Sequence, residues 1–155
     1  MPVFTQIVKI EPADIDSGES ERLLAELWQE IDELYGNDAS STWHLVGMEQ
    51  PGAAFVIARQ DEKAIGCAAL RPLTSTVAEV KRMFVRREAR RAGVARAIMH
   101  ALEKIAREHG FSEIWLETGL RQAGAIRLYE SLGYRRIAGF GDYKDDPLSV
   151  CYGKR

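Results

Sequence analysis

The 155-residue sequence has few cysteines, little net charge and no long apolar run. Its two cysteines, Cys67 and Cys151, lie far apart without CxxC spacing. Each is expected to be a small apolar residue of a strand rather than a disulfide partner or metal ligand. Apolar runs such as AAFVIA fall well short of the about 20 residues that cross a bilayer. The first residues, MPVFTQIVKIEP, lack the pattern of a signal peptide. We therefore expect a reduced, cytoplasmic protein without membrane contact.

The overall charge also limits the function classes. A formal net charge of −2 argues against a general nucleic-acid-binding protein, although charge can be concentrated locally. The chain is long enough to bury a core and is predicted to form one domain over residues 1–155. No residue spacing is typical of a metal site or of a Ser/His/Asp nucleophile, so we expect no bound metal.

Hydrophobic periodicity predicts alternating strands and helices. In chain order the predicted elements are strand VFTQIVKI, a helix over residues 23–35, strands AAFVIAR, AIGCAALRPL and TVAEVKRMFVR, a helix over residues 94–106, strand FSEIWLET, helix AIRLYESLG, and strands YRRIAGF and PLSVCYGK. The first two strands of the central group flank QDEK, a predicted hairpin turn. The order β-α-β-β-β-α-β-α-β-β predicts an α/β fold of the α+β type, with a mixed, mostly antiparallel sheet flanked by helices.

The segment RREARRAGVA connects a predicted strand to a predicted helix. The first turn of a helix leaves backbone N–H groups unpaired, and these groups together with the helix dipole attract anions. Gly93 lets the backbone approach a phosphate closely, and the small side chain of Ala95 helps. Arg90, Arg91 and Arg96 are expected to add mobile positive charge. Taken alone, the segment is equally compatible with a solvated helix start.

The pattern R-x-x-G-x-A, after a strand ending in MFV, resembles the acetyl-CoA signature Q/R-x-x-G-x-G/A of the GNAT superfamily of N-acetyltransferases. The downstream segment AIRLYESLGY strengthens the resemblance, which covers roughly residues 53–152. It implies the GNAT fold, acetyl-CoA as co-substrate and an amine as acceptor. The implied coenzyme contacts are the loop residues Arg90, Arg91, Ala92, Gly93, Val94 and Ala95 for the pyrophosphate, the strand backbone of Met83, Phe84 and Val85 for the pantetheine arm, and Gln122.

Glu79 is the candidate general base. An attacking amine with a pKa of about 10.4 must lose a proton, and a positioned carboxylate can accept it. Glu79 precedes the signature by the spacing of the catalytic glutamate in some histone-type GNAT members. Strand alternation predicts that it shares a face with Lys81, Met83 and Val85, among mainly apolar neighbours. The alternative is a surface ion pair with Lys81.

Three further residues have an implied or alternative role in the chemistry. Tyr129 occupies the position where the family often has a tyrosine near the coenzyme sulfur, so it is the candidate acid, or equally a core tyrosine. Gln122 replaces an asparagine that is frequent in the family, so a contact of its amide with the coenzyme is implied. Glu117, at the end of a strand, is a second candidate base, an acidic contact for a cationic acceptor, or a solvated carboxylate.

The amine acceptor is expected to meet the loops over residues 35–50 and GFGDYKDDP. Phe140, Tyr143 and the aspartates of the second loop suit a cationic amine, although a solvated loop has the same composition. Trp43 and His44 in the first loop are more typical of surface residues. A small amine, an amino acid and a protein lysine all stay open as acceptors.

Two other function classes compete with catalysis. The basic residues of the stretch 81–96 could bind nucleic acid, but strand alternation divides them between faces and no series of aromatic residues is interleaved with the arginines. We therefore expect no binding of nucleic acid. A non-catalytic coenzyme A-binding regulatory domain would carry the same phosphate loop. The presence of both Glu79 and Tyr129 favours an enzyme. Some relatives pair through their sheets, which leaves a homodimer open.

Overall fold

The structure is a computed structural model that describes residues 7–36 and 46–155. In chain order its elements are β1 (Lys9–Pro12), α1 (Gly18–Tyr35), β2 (Ala54–Gln60), β3 (Lys63–Pro72), β4 (Val77–Val85), α2 (Val94–Glu108), β5 (Glu113–Gly119), α3 (Ala123–Ser131), β6 (Arg135–Ile137) and β7 (Ser149–Lys154). The predicted order of strands and helices is confirmed. None of the helices in these two ranges is long and apolar enough to cross a membrane.

The seven strands of the described residues form one mixed sheet in the order β1-β2-β3-β4-β5-β7-β6. Strands β4 and β5 are parallel, because α2 makes the crossover between them. The pairs β1–β2, β5–β7 and β6–β7 are antiparallel. The predicted mixed, mostly antiparallel sheet is therefore confirmed. Pairing of β4 with β5 runs from Val77 opposite Glu113 to Val80 opposite Leu116, while β4 continues to Val85.

The hairpin between β2 and β3 turns through Asp61 and Glu62. Both residues have positive φ, 51° and 66°. A two-residue loop with this backbone is a type I′ turn, whose twist matches that of the flanking strands. The predicted turn is confirmed in position, although neither residue is the glycine or asparagine that this turn usually contains.

Helix α1 begins before its apolar stripe. Ser17 is the N-cap, and its hydroxyl accepts a hydrogen bond from the Ser20 N–H at 3.2 Å. The helix ends at Gly36, which has a φ of 82° and donates its N–H to the Asp32 carbonyl. The predicted end is confirmed, whereas the first turn was missed because a polar capping segment carries no hydrophobic periodicity.

Strand β6 is shorter than predicted. Only Arg135–Ile137 of the segment YRRIAGF pairs with β7. The chain then leaves the sheet, and Phe140 packs against the rings of Trp115 and Tyr143 with centroids 5.2 and 5.4 Å apart. The predicted continuation of the strand is wrong because these aromatic contacts turn the segment into a loop over the sheet.

Arg82 interrupts the side-chain alternation of β4. Its φ of 59° is left-handed, which in a strand marks a bulge. Before the bulge Glu79 contacts Arg71 of β3, and after it the Val85 side chain packs beside Gly66 of β3. Arg71 and Gly66 lie on opposite faces of β3, because an odd number of positions separates them. The prediction that Glu79 and Val85 share a face is therefore wrong.

The chain divides into two compact units. The described part of unit 1 comprises residues 7–36, 55–69 and 82–101, with Leu23, Ile57 and Ile98 among its fully buried side chains. Unit 2 comprises residues 46–54, 70–81 and 102–155, with Leu102 and Leu116 in its core. Because β3, β4 and α2 contribute to both units, the division leaves the prediction of a single domain untested.

The close packing of β3 against β4 is tested by Gly66→Ala. An added Cβ would lie 2.8 Å from the Phe84 carbonyl oxygen and 3.2 Å from Ile98 Cδ1. Overpacking of this kind should lower the free energy of unfolding by about 1–3 kcal/mol. Gly124→Ala is the control, because its Cβ would meet nothing nearer than 4.0 Å and alanine favours a helix. Urea unfolding measures both, and equal midpoints would contradict the packing.

Candidate active site

The loop between β4 and α2 has the backbone of an anion site. Arg91 and Gly93 are left-handed, with φ of 63° and 82°, on either side of the exposed Ala92. Alternating left-handed residues turn successive N–H groups toward one side, and the first turn of α2 leaves further N–H groups unpaired. An added Cβ at Gly93 would meet nothing within 4 Å, so the approach to this backbone is open. The binding of a phosphate by this loop stays a prediction.

The side chain of Arg90 is held inside unit 1. Its Nε donates to the Val85 carbonyl at 2.7 Å and its Nη2 donates to Glu30 Oε2 at 2.6 Å. Its guanidinium also lies 5.7 Å from the centroid of the Phe84 ring. The expectation that Arg90 adds mobile positive charge is therefore wrong. The implied contact of its backbone with a phosphate stays a prediction.

Helix α1 neutralises other arginines of the basic stretch. Arg86 Nε donates to Glu26 at 2.9 Å, while Arg87 donates to Glu30 and Glu33 at 2.9 and 2.8 Å. A nucleic-acid interface depends on positive charge that is available to phosphates. These ion pairs remove the main support for the nucleic-acid alternative.

The implied pantetheine segment forms the end of β4. Phe84 and Val85 have buried side chains, and the side chain of Met83 is half-buried. The implied contact of their backbone with the pantetheine arm stays a prediction. The segment lies beyond the residues that pair with β5. The Val85 carbonyl already accepts the hydrogen bond from Arg90.

Unit 2 gathers titratable side chains on one face of its strands. Glu79 lies opposite Trp115 in the β4–β5 register, and Glu117 lies opposite Cys151 in the β5–β7 register. Residues two apart on a strand share a face. The chemistry face, as we call it, comprises Glu79 and Lys81 of β4, Trp115 and Glu117 of β5, and Ser149 and Cys151 of β7.

Glu79 is a buried, ion-paired carboxylate. Its side chain is 1% exposed, and its Oε1 accepts hydrogen bonds from Arg71 Nε and Nη2 at 3.1 and 2.9 Å. Lys81 Nζ lies 3.9 Å from Oε2. The expected apolar surroundings and the alternative of a surface pair are both wrong, because the carboxylate is buried between two cations.

Glu117 lies half-buried on the same face. Burial raises the pKa of its carboxyl above the usual value, although a hydrogen bond from Ser149 and the charge of Lys81 oppose this effect. The charges of Asp146 and Glu79 raise the pKa further. The neutral form of this carboxyl is thus favoured more than it would be in water. Because Glu117 is half-buried, the alternative of a fully solvated carboxylate at the strand end is excluded.

Tyr129 on α3 is 4% exposed. Burial raises the pKa of its hydroxyl, and the charge of Glu117 raises it further. Its ring also packs edge-on against Tyr134, with centroids 6.0 Å apart. Tyr129 is therefore a core tyrosine whose hydroxyl pKa is influenced by the charge of Glu117. A place in the core and the predicted role as the acid are thus compatible.

Tyr143 joins the chemistry face from the loop after β6. Lys81 Nζ donates to its hydroxyl oxygen at 2.5 Å. Burial raises the pKa of this hydroxyl, and the charges of Glu79 and Glu117 add to the effect. The aspartates of the loop, by contrast, are exposed. The alternative of a solvated loop thus applies to the aspartates and not to Tyr143.

Gln122 uses its amide oxygen within the protein. The oxygen accepts a hydrogen bond from the Gly119 N–H at 2.9 Å and lies 3.4 Å from the Thr118 hydroxyl. Any contact with the coenzyme would therefore come from the amide nitrogen. Trp43 and His44, considered for the acceptor side, lie outside the described residues. Within residues 7–36 and 46–155, no group of three or more His, Cys, Asp or Glu is placed to hold a metal ion.

Comparison with known proteins identifies the family. The acetyltransferase (GNAT) family model matches residues 19–134. The chain belongs to this family. It is 35% identical over 134 residues to a protein of Azospirillum brasilense named IAA acetyltransferase, covering 86% of the chain and 88% of that relative. The family implies acyl transfer from an acyl-CoA. Membership in it supports the predicted acetyl-CoA-dependent acetyltransferase over the alternative of a non-catalytic coenzyme A-binding domain.

Solved structures share the fold of this GNAT acetyltransferase. A Klebsiella pneumoniae protein assigned as an acyl-CoA N-acyltransferase has a TM-score of 0.80 and 27% identity, with 96% of this chain and 97% of that chain covered. The PaiA N-acetyltransferase of Thermoplasma acidophilum, solved with coenzyme A, has a TM-score of 0.77 and 16% identity over 96% and 99% of the two chains. The predicted GNAT fold is confirmed.

Arg71 and Ser149 are the residues of this acetyltransferase site that sequence reasoning missed. Arg71 reaches Glu79 across a strand pair, and Ser149 reaches Glu117 between β7 and β5. Neither belongs to a motif or follows its partner at a fixed spacing along the chain. The apolar segment AIGCAALRPL, next to the QDEK turn, did predict a strand around Arg71, but an arginine near a strand end carries no signal of its partner.

The hydrogen bond between Arg90 and Glu30 should make the GNAT acetyltransferase less stable at acid pH than at neutral pH. Burial raises the pKa of the Glu30 carboxyl, but the hydrogen bonds from Arg90 and Arg87 outweigh burial and lower it below the usual value. A depressed folded-state pKa stabilises the protein above the unfolded pKa of about 4.3, and this stabilisation is lost as pH falls through the folded value.

Glu30→Gln should therefore lower the free energy of unfolding by about 1 kcal/mol at pH 7 and flatten its decline below about pH 5. Urea unfolding at several pH values measures both effects. Glu33→Gln is the control, because Glu33 is 54% exposed and pairs with Arg87, whereas Arg90 pairs with Glu30. A pH dependence identical in wild type and Glu30→Gln would show that this pairing does not form.

Proposed function

We propose that the protein moves an acetyl group from acetyl-CoA to a primary amine by direct attack, with Glu117 as the general base. The acceptor is a small amine, an amino acid or a protein lysine. The observation that carries the proposal is the half-buried carboxyl of Glu117, with its raised pKa, on the same face as Lys81 and electrostatically coupled to Tyr129.

Glu117 suits a general base better than Glu79 does. A base is most effective when its pKa lies near the working pH, and burial moves Glu117 in that direction. Glu79, the base predicted from the sequence, has Oε1 engaged by Arg71 and lies against Lys81. In this mechanism Glu79 holds the two cations in place, and Lys81 in turn orients Tyr143 through their hydrogen bond.

Tyr129 stabilises the departing thiolate by donating a hydrogen bond. A thiol of the coenzyme type has a pKa of about 8.5, so the thiolate is protonated at pH 7 without strong assistance. The raised pKa of Tyr129 keeps the proton on its hydroxyl, which therefore remains a donor throughout the reaction. Its role is hydrogen bonding rather than complete proton transfer.

The co-substrate is bound mainly by backbone groups. Arg91 to Ala95 present their N–H groups to the pyrophosphate, supported by the left-handed Arg91 and Gly93, whereas the Arg90 N–H donates to the Arg87 carbonyl at 3.3 Å. The backbone of Met83, Phe84 and Val85 pairs with the pantetheine arm as an added strand would. The amide nitrogen of Gln122 supplies one further donor.

Gly93→Glu should abolish the binding of acetyl-CoA, because it adds bulk and a negative charge at the phosphate loop. Gly110→Glu is a matched control: Gly110 also has a left-handed backbone, with φ of 84°, and an added Cβ there also meets nothing within 4 Å. Both variants therefore carry the same backbone strain. Isothermal titration calorimetry should give micromolar one-to-one binding for wild type and Gly110→Glu only. Equal affinity in Gly93→Glu would refute the assignment of the loop.

Glu117→Gln and Glu79→Gln separate the two candidate bases. With a panel of polyamines, amino acids and a lysine peptide, coenzyme A release gives kcat and KM from pH 5 to 9. We expect Glu117→Gln to lose about 100-fold or more in kcat and the acidic limb of the pH profile. Glu79→Gln should keep that limb while losing activity through the displaced Lys81. The reverse pattern would assign the base to Glu79.

A further inference from the structure

Ser149 lies between two carboxyl groups. Its Oγ is 2.9 Å from Glu117 Oε1 and 3.1 Å from Asp146 Oδ2. A serine hydroxyl has a single proton, so it can donate to only one of these oxygens. The other contact becomes a hydrogen bond only when that carboxyl carries a proton and donates it to the serine oxygen. The geometry therefore suits a protonated carboxyl on one side and an ionised one on the other.

The protein holds this arrangement through its backbone. In the β5–β7 register Ser149 lies opposite Gly119, which makes it the diagonal neighbour of Glu117 on the same face. Asp146 is fixed by the Leu148 N–H, which donates to its Oδ1 at 2.9 Å, and by the Ser149 N–H, which donates to its carbonyl at 3.2 Å. Asp146 is exposed, so the three side chains lead from the chemistry face to solvent.

We propose that Glu117, Ser149 and Asp146 form a proton relay that carries the proton of the reacting amine to solvent. The relay rests on the proposed function of Glu117 as the base. After Glu117 has taken the proton on Oε1, that proton moves to Ser149 Oγ as the serine proton moves to Asp146 Oδ2. Asp146 releases its proton to water, and rotation of the serine hydroxyl restores the starting state.

Release of the proton to water drives the transfer. Burial raises the pKa of Glu117, so the step from Glu117 to Asp146 is unfavourable in itself. Because Asp146 is exposed, water can remove the proton from it, and Glu117 is then ionised again before the next turnover. The other titratable groups around Glu117 are Glu79 and Lys81 of β4, Tyr129 of α3, Tyr143 of the loop after β6 and Cys151 of β7. Glu79 is the one carboxylate in this set, and it is held in its ion pair with Arg71. Asp146 is an exposed carboxylate within hydrogen-bond distance of Ser149, so it is the group that can pass the proton to water.

The carboxyl titration of Glu117 tests the contacts without any acceptor. In protein labelled with ¹³C at glutamate Cδ, the Glu117 signal is assigned by its loss in Glu117→Gln. Ser149→Ala should raise the pKa of Glu117, because it removes a hydrogen bond that lowers it. Asp146→Asn should lower the pKa, because it removes a charge that raises it. Asp145→Asn, an exposed aspartate of the same loop, is the matched control and should change nothing.

Steady-state kinetics with the amine panel test the relay itself. Ser149→Ala should lower kcat at least about tenfold with little change in KM, and added imidazole should restore part of the rate by accepting the proton directly. Ser149→Thr keeps the hydroxyl and should retain most of the activity. It also carries the test, together with Asp146→Asn, if the alanine variant does not fold.

The outcomes separate the relay from the mechanism on which it rests. If Glu117→Gln keeps full activity, the proposed base is wrong and the relay falls with it. If Glu117→Gln is impaired but Ser149→Ala and Asp146→Asn keep wild-type kcat, the base stands and the relay is overturned. An unchanged Glu117 titration in both variants would likewise overturn it.

Discussion

The central interaction of unit 2 is the pairing of two carboxylates, on one face of the sheet, with cations and hydrogen-bond donors. A charged group withdrawn from water is costly unless it is paired or hydrogen-bonded. Glu79 is compensated by Arg71 and Lys81, whereas Glu117 receives a hydrogen bond from Ser149 and the more distant charge of Lys81. This inequality gives two glutamates on neighbouring strands different chemical properties. The better-compensated one suits a structural ion pair, and the other suits proton transfer.

The loop after β6 follows from the same face. Phe140 packs against the rings of Trp115 and Tyr143, tilted to the first and edge-on to the second, and Tyr143 accepts a hydrogen bond from Lys81. These contacts cover strand residues that would otherwise face water, at the expense of extending β6 along β7. Cover of this kind also lowers the local polarity around Glu117, which is the main cause of its raised pKa.

Unit 1 uses charge in the opposite way. Arg86, Arg87 and Arg90 are bound to the acidic side chains of α1, so these three arginines hold the chain at the start of the proposed phosphate loop rather than reach outward. The proposed binding of an anion then depends on backbone N–H groups next to the left-handed Arg91 and Gly93. Backbone donors cost no side-chain ordering when a ligand binds, because the fold has already positioned them.

The sequence by itself determined the order of strands and helices and the family, because these depend on neighbours along the chain. Periodicity, a helix start and a glycine needed at positive φ are local properties. The bulge at Arg82, the pairing of Arg71 with Glu79 and the contact of Ser149 with Glu117 depend on strand register, which joins residues far apart in sequence. Burial and partner charges decide how the two glutamates differ, and only the tertiary structure sets them.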